Sequence, residues 1–235
     1  MNKGNLYLIP TTLGDSPTSY CLPEQIKDLI ELCDEFIVEN ERSARRFIKK
    51  IGANNNLDSL ILHELNKHTD TSEIPSYLKN IENGTNIGII SESGCPAVAD
   101  PGANVVAIAH DKNIKVIPLV GPSSIIMALM ASGFSGQNFA FNGYLPKNAA
   151  EKIKKIRQLE KFAVQLNQTQ LFIEAPFRNQ KLLLDLLNTC LPGTKLCIAT
   201  EITTATEQIT TKTVLDWKKN IPNINKRNTV FVIGA

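Results

Sequence analysis

The 235-residue chain is 43% hydrophobic and 20% charged, an ordinary globular composition with ample material for a core. Its 25 basic and 23 acidic residues leave a net charge of +2, too balanced to announce a nucleic-acid binder by charge alone, although a local basic patch remains open. The five cysteines, Cys21, Cys33, Cys95, Cys190 and Cys197, contain no CxxC pair, so no metal is expected. Their odd number, with only a short apolar run in MNKGNLYLIPTTLGDSP, points to reduced thiols in a cytoplasmic protein. No stretch approaches the roughly 20 apolar residues of a membrane span.

In the first half, short apolar runs alternate with helical patterns. Strands are predicted at Leu6–Pro10, Glu35–Glu39, Leu60–Leu65, Ile87–Ile90 and Lys115–Leu119. Helices are predicted between them at Pro23–Cys33, Glu41–Lys50, within TSEIPSYLKNIENG, and at Ala103–Lys112. Such alternation implies crossovers and a mostly parallel sheet. In the second half a helix opens in VGPSSIIMALMASG. A strand at Phe139–Asn142 and a long charged helix at Ala149–Gln165 follow, then a strand at Gln170–Glu174 and a helix at Gln180–Thr189. Lys195–Thr200, Gln208–Thr213 and Thr229–Ile233 read as strands with one short helix, Val214–Lys219, among them, which predicts a mixed sheet. The expected organisation is two α/β domains, residues 1–119 and 120–235.

Three loops rich in small residues follow predicted strands: Thr11–Asp15 (TTLGD), Ser91–Gly102 (SESGCPAVADPG) and Gly121–Ser124 (GPSS). In open parallel sheets ligands bind beyond the carboxyl ends of strands. Glycine lets backbone amides approach a ligand closely, and proline fixes the loop in advance. Each loop alone reads as a turn; their joint position describes a pocket for a compact polar ligand. The chain has no GxxxxGK[ST] and no GxGxxG, which counts against a Walker-type nucleotidase or an ordinary dinucleotide dehydrogenase.

The ordered series LYLIPTTLGD, FIVENERSARRFIKK, IGIISESGCPAVADPG, VIPLVGPSSIIMALMASG, FAFNGYLP and LFIEAPFRN resembles the tetrapyrrole methylase superfamily, and within it the branch of ribosomal RNA small-subunit methyltransferase I. The resemblance implies two α/β domains that bind S-adenosylmethionine in the cleft between them, dimerise, and need no metal. It also implies methylation of a ribose 2′-hydroxyl in small-subunit ribosomal RNA. Carried over by position, the cofactor residues are Leu13, Gly14, Glu92, Ser93, Gly94, Cys95, Pro96, Val98, Ser123, Ser124, Glu174 and Ala175, with Thr200, Glu201 and Thr229 from later strands. Substrate contacts fall to Glu39, Arg42, Arg45 and Arg178. The chain departs from the branch where Glu92 replaces Asp, Cys95 replaces Thr and Phe177 replaces His, all on the expected acceptor side.

A hydroxyl acceptor needs a proton acceptor, and His68 and Glu92 are the candidates. His68 reads equally as a solvated loop histidine, and Glu92 as a loop-ordering acceptor. Glu39, Glu41, Arg42, Arg45 and Arg46 form either a phosphate-gripping edge or an exposed helix with intrahelical ion pairs. Cys95 is read as a small packing residue. Two other functions fit the same residues: a methyltransferase for a tetrapyrrole or other small molecule, and a cofactor-binding module without turnover.

Overall fold

The computed structural model describes residues 3–234, and the chain folds as two compact units, Met1–Ser123 and Ser124–Ala235. In the first unit, β1 (Asn5–Ile9), β2 (Glu35–Val38), β3 (Ile61–Glu64), β4 (Ile87–Ile90) and β5 (Lys115–Pro118) form one sheet in the order β3-β2-β4-β1-β5. Every pairing is parallel. Alternate side chains divide between two cores, as the period of two requires. Tyr7, Ile9, Phe36, Val38 and Ile90 pack on one face with Ile26 and Ile30 of α2 (Gln25–Glu31), which follows the short α1 (Thr18–Cys21). The same core takes Ala44, Phe47 and Ile48 of α3 (Glu41–Ile51). Leu6, Ile37, Ile87 and Ile89 face the other way, toward Val105 and Ala109 of α4 (Gly102–Asp111).

Helix α3 starts where Asn40 Oδ1 accepts the Ser43 amide at 3.1 Å, and it stops at Gly52 in the left-handed region. Around residues 71–84 the sequence predicts an ordinary helix. The structure has a 3₁₀ helix, Ile74–Asn83, whose Ile74, Leu78 and Ile81 are buried. Pro75 enters it without a donor N–H, and Gly84 at φ 93° ends it.

The second unit begins with α5 (Ser124–Ser132). Its sheet contains β6 (Phe139–Tyr144), β7 (Thr169–Ile173), β8 (Lys195–Thr200), β9 (Gln208–Thr213) and β10 (Thr229–Gly234), in the order β6-β7-β10-β8-β9. Only β6 with β7 is parallel, so the sheet is mixed. Strand β6 runs two residues past its predicted end, through an irregular register at Gly143, whose φ is 60°. Helices α6 (Ala149–Gln165), α7 (Asn179–Thr189) and α8 (Val214–Lys219) bury Ile156, Leu183 and Trp217 against Phe231 and Ile233. On the opposite face Gly234 leaves room for Phe134, whose ring stands 2.3 Å from where a Cβ would project. A 3₁₀ turn at Pro176–Arg178 joins β7 to α7.

Candidate functional site

The order of the first sheet fixes what its loops can meet. Strands β4, β1 and β5 are adjacent and parallel, so the three loops singled out in the sequence leave the same edge side by side. The chain leaves β1 for β2 and leaves β4 for β5, so these two connections diverge across the β4–β1 pair. Their helices pack on opposite faces of the sheet. That divergence is the switch point at which open α/β sheets hold ligands.

The loops are tied to one another at Gly94. The Thr11 amide donates to the Gly94 carbonyl at 3.0 Å, and the Ser91 hydroxyl donates to the same oxygen. Ser93 Oγ donates to the Leu13 carbonyl at 3.2 Å. From the other side, the Cys95 thiol reaches the Pro122 carbonyl at 3.3 Å. Gly94 is buried at φ 74°, and a Cβ there would stand 2.8 Å from Leu13 Cδ2 and 2.9 Å from the Pro122 oxygen. Only glycine accepts both the conformation and the approach. Beyond it, Ala97 and Ala99 both adopt φ 62°, held by Asp100 Oδ1, which accepts the Ala97 and Gly102 amides at 2.8 Å each. Left-handed alanines are strained and persist only where surrounding bonds impose them. Val98 lies between them and is exposed.

Carboxylates collect beside this junction. Glu39 follows β2, the neighbour of β4, and is half-buried. Burial raises its pKa above the ordinary carboxylate range, the charges of Asp100 and Glu92 raise it further, and the Glu92 amide partly offsets them. Asp100 is raised too, chiefly by burial, against the two amides it accepts. Burial also pushes the Cys95 thiol up, so it is a packing group rather than a thiolate nucleophile.

A second edge forms within the other unit. Strand β10 is antiparallel to both β7 and β8, and the register sets Val230 opposite Ile173 and Thr229 opposite Thr200. Glu174, Ala175, Thr200, Glu201 and Thr229 therefore share one side of that sheet. The Thr200 and Thr229 hydroxyls donate to the carbonyls of Gln208 and Arg227. Glu174 is only 5% exposed, and its Oε1 accepts the Ala175 amide at 2.7 Å and Arg178 Nη2 at 2.6 Å. Burial pushes Glu174 up, but the Arg178 and Ala175 hydrogen bonds and the charges of Arg178 and Lys152 outweigh it and hold the group below the usual range.

Within the first unit, Leu13, Gly14, Glu92 to Pro96 and Ser123 fall in the converging loops. Ser124 opens α5 in the second unit. His68 lies away from them, exposed after the edge strand β3, with its amide donating to Asn66 Oδ1 at 2.9 Å. Arg45 donates to the Leu57 carbonyl and stands 3.9 Å from Glu41, which fastens α3 to the loop after it; Arg42 is exposed. Thr11, Ser91, Asp100 and Pro122 build the junction without having been singled out as site residues. The signal for Asp100 was its place before Pro-Gly, where a side chain commonly caps backbone amides. Among the described residues, no group of three or more His, Cys, Asp or Glu is arranged to hold a metal ion, and no helix is long and apolar enough to cross a membrane.

No family model matches the chain. It is 30% identical over 239 residues to the ribosomal RNA small subunit methyltransferase I of Buchnera aphidicola subsp. Schizaphis graminum, covering 99% of this chain and 79% of that one. The chain belongs to the ribosomal RNA small subunit methyltransferase I family. The Escherichia coli O157:H7 protein of that name is 26% identical over 235 residues, covering 99% and 78% of the two chains. Solved structures of the same fold include the methyltransferase CobJ, at 16% identity and a TM-score of 0.66 over 98% of this chain and 94% of that one. Another is the uroporphyrin-III C-methyl transferase of Thermus thermophilus complexed with S-adenyl homocysteine, at 15% identity and a TM-score of 0.58 over 98% and 97%. As a member of this family the chain is an S-adenosylmethionine-dependent methyltransferase.

Proposed function

We propose that the protein methylates a ribose 2′-hydroxyl of small-subunit ribosomal RNA, as a cytoplasmic homodimer. The observation that carries the reading is the meeting of three strand-end loops at Gly94 beside Glu39, Glu92 and Asp100, in a chain of this family. That junction suits the methyl donor. Its backbone is closely apposed and fixed in advance, and a group of carboxylates favours a ligand that carries a sulfonium charge. Leu13, Gly14, Glu92 to Pro96, Val98 and Ser123 would hold the donor from the first unit. Ser124, Glu174, Ala175, Thr200, Glu201 and Thr229 are the second unit's candidates for donor contact, carried over from the family. When bound, S-adenosylmethionine supplies a methyl group on sulfur that is a good leaving group.

The chain's own tasks are then alignment and removal of the hydroxyl proton. For the proton we assign Glu39 ahead of Glu92 and His68. Its surroundings raise its affinity for a proton, as a base working near neutral pH requires. Arg42 and Arg178 are the phosphate contacts. The test is transfer of labelled methyl from S-adenosylmethionine to small-subunit particles from a strain lacking the gene, with the product mapped by mass spectrometry. A single new ribose methylation supports the reading. Label appearing only in a small-molecule fraction overturns the RNA acceptor, and binding of S-adenosylhomocysteine without transfer to either fraction overturns the enzymatic reading. Light scattering of the purified chain tests the dimer.

A further inference from the structure

The turn that follows β7 exposes an aromatic ring that neither the fold nor the methyl donor's proposed contacts require. Phe177 is 65% exposed, and the Arg178 guanidinium lies over its ring, 4.9 Å from the centroid. One arm of that guanidinium is anchored on Glu174 at 2.6 Å, which fixes the cation beside a ring that is largely exposed. Tyr144, 62% exposed at the end of β6, is set beside Ile173 by the strand register and lies near enough to Arg178 to interact with it electrostatically. Phe177 also borders a groove of about 640 Å³ along α7, floored by Leu184, Ile221 and Pro222. Lys181 lines that groove, is exposed, and has no ion-pair partner among the described residues.

An open ring backed by arginine, beside an apolar groove carrying a lysine, matches what unpaired nucleotides need. Bases stack on aromatic and guanidinium planes, while cations follow the phosphates. We propose that Phe177, backed by Arg178, is a stacking platform for an unpaired base of the RNA substrate, with the α7 groove and Lys181 receiving the adjoining nucleotide. This rests on the RNA reading above and adds the mode of recognition. Double-stranded RNA offers no open base face to such a ring, so the platform selects single-stranded segments.

The test is binding of a labelled single-stranded RNA of small-subunit sequence, followed by fluorescence anisotropy, alongside calorimetry with S-adenosylhomocysteine and light scattering. Phe177→Ala is expected to weaken RNA binding roughly ten-fold, the scale of one lost stack, and to leave S-adenosylhomocysteine binding and oligomeric state unchanged. Phe177→Leu, which keeps apolar area but no aromatic face, should lose nearly as much. Phe177→Trp should bind at least as well as the parent, with its fluorescence quenched by single-stranded but not duplex RNA. Parent-like RNA binding by Phe177→Ala overturns the platform and leaves the RNA reading intact. A matching loss of S-adenosylhomocysteine binding assigns the ring to the donor pocket, and a change of oligomeric state assigns it to a subunit interface; either result overturns the proposal. If the parent binds no RNA at all, both readings fall together.

Discussion

Glu39 after β2 and Glu174 after β7 both sit at the carboxyl end of a strand, and their surroundings drive them in opposite directions. Glu39 is pushed toward its protonated form first by burial and then by its carboxylate neighbours. Glu174 has a guanidinium at 2.6 Å and is held ionised although it is only 5% exposed. The two edges are also built by different means. In the first unit, backbone approaches backbone around Gly94, and the carboxylates are left without a cation among the described ion pairs. In the second, a side-chain ion pair closes the turn from Glu174 to Arg178. Burial pushes both carboxylates up; at Glu39 the neighbouring carboxylates add to it, and at Glu174 the Arg178 and Ala175 hydrogen bonds and the nearby cations outweigh it.

The sharpest way to break the first edge is to give Gly94 a side chain. Gly94→Val must place a branched Cβ at φ 74°, 2.9 Å from the Pro122 carbonyl and 2.8 Å from Leu13. The combined strain and overpacking should cost about 3 kcal/mol. Binding of S-adenosylhomocysteine should fall below detection in calorimetry, while a hydrogen-exchange footprint over β7–β10 stays at the parent's level. Parent-like binding would show that the three loops do not build the donor site.

Next in size is the ion pair of the second edge. Arg178→Ala strands the Glu174 carboxylate, which is only 5% exposed. Removing one partner of a buried pair leaves the other charge unpaired, and the one-third exposure of Arg178 makes the loss smaller than for a fully buried pair. Glu174→Gln combined with Arg178→Ala should recover part of that loss in urea titration, because the stranded charge is gone. No recovery would mean that Arg178 stabilises through its contact with Phe177 instead.

Glu39→Gln is expected to do the reverse at the first edge. The amide removes a charge that folding disfavours, so stability near neutral pH should hold or rise, by less than about 1 kcal/mol. Methyl transfer should fall by roughly 10²-fold or more with little change in S-adenosylhomocysteine affinity, the signature of a lost general base. The pH–rate profile should lose its acidic limb in the same variant. Full activity would return the role to Glu92 or His68.

Much of the first edge was legible in the sequence because its information is local. Alternating apolar runs gave the parallel strands, and the glycines and prolines of residues 91–102 marked a loop that approaches other backbone. Neighbouring carboxylates were not legible in the same way. Glu39 lies beside Asp100 only because β2 pairs with β4, a consequence of two crossovers that no local pattern records. The histidines show the same limit. The sequence offers His68 as a proton acceptor, while His63, five residues earlier, is bonded to a buried carboxylate, Glu35, at 2.6 Å. That contact needs Glu35 and His63 on adjacent strands of the folded sheet. In the second unit, the Arg178 partnership with Glu174 spans one turn and its motif was visible, but its effect on the carboxylate depends on burial that only the packed sheet supplies.

The smallest expected effect is the most direct comparison, because it reads both carboxylates in one measurement. A group whose pKa is raised on folding, as for Glu39, favours the folded state below its ordinary value of 4.5, and the benefit is lost as pH rises through the folded value. A group whose pKa is lowered, as for Glu174, contributes stability above 4.5 that is lost as pH falls through the folded value. Glutamine stands in for the protonated form at either site. Melting temperatures followed from about pH 8 down to about pH 4 should therefore place Glu39→Gln at or above the parent and Glu174→Gln below it at the upper end. Both differences should shrink toward the acid end, as the parent's own carboxylates take up protons. Differences of the same sign at neutral pH would show that the two edges share one electrostatic design. A gap at Glu174 that persists in acid would mean that its bonds to Ala175 and Arg178 stabilise by shape rather than by charge.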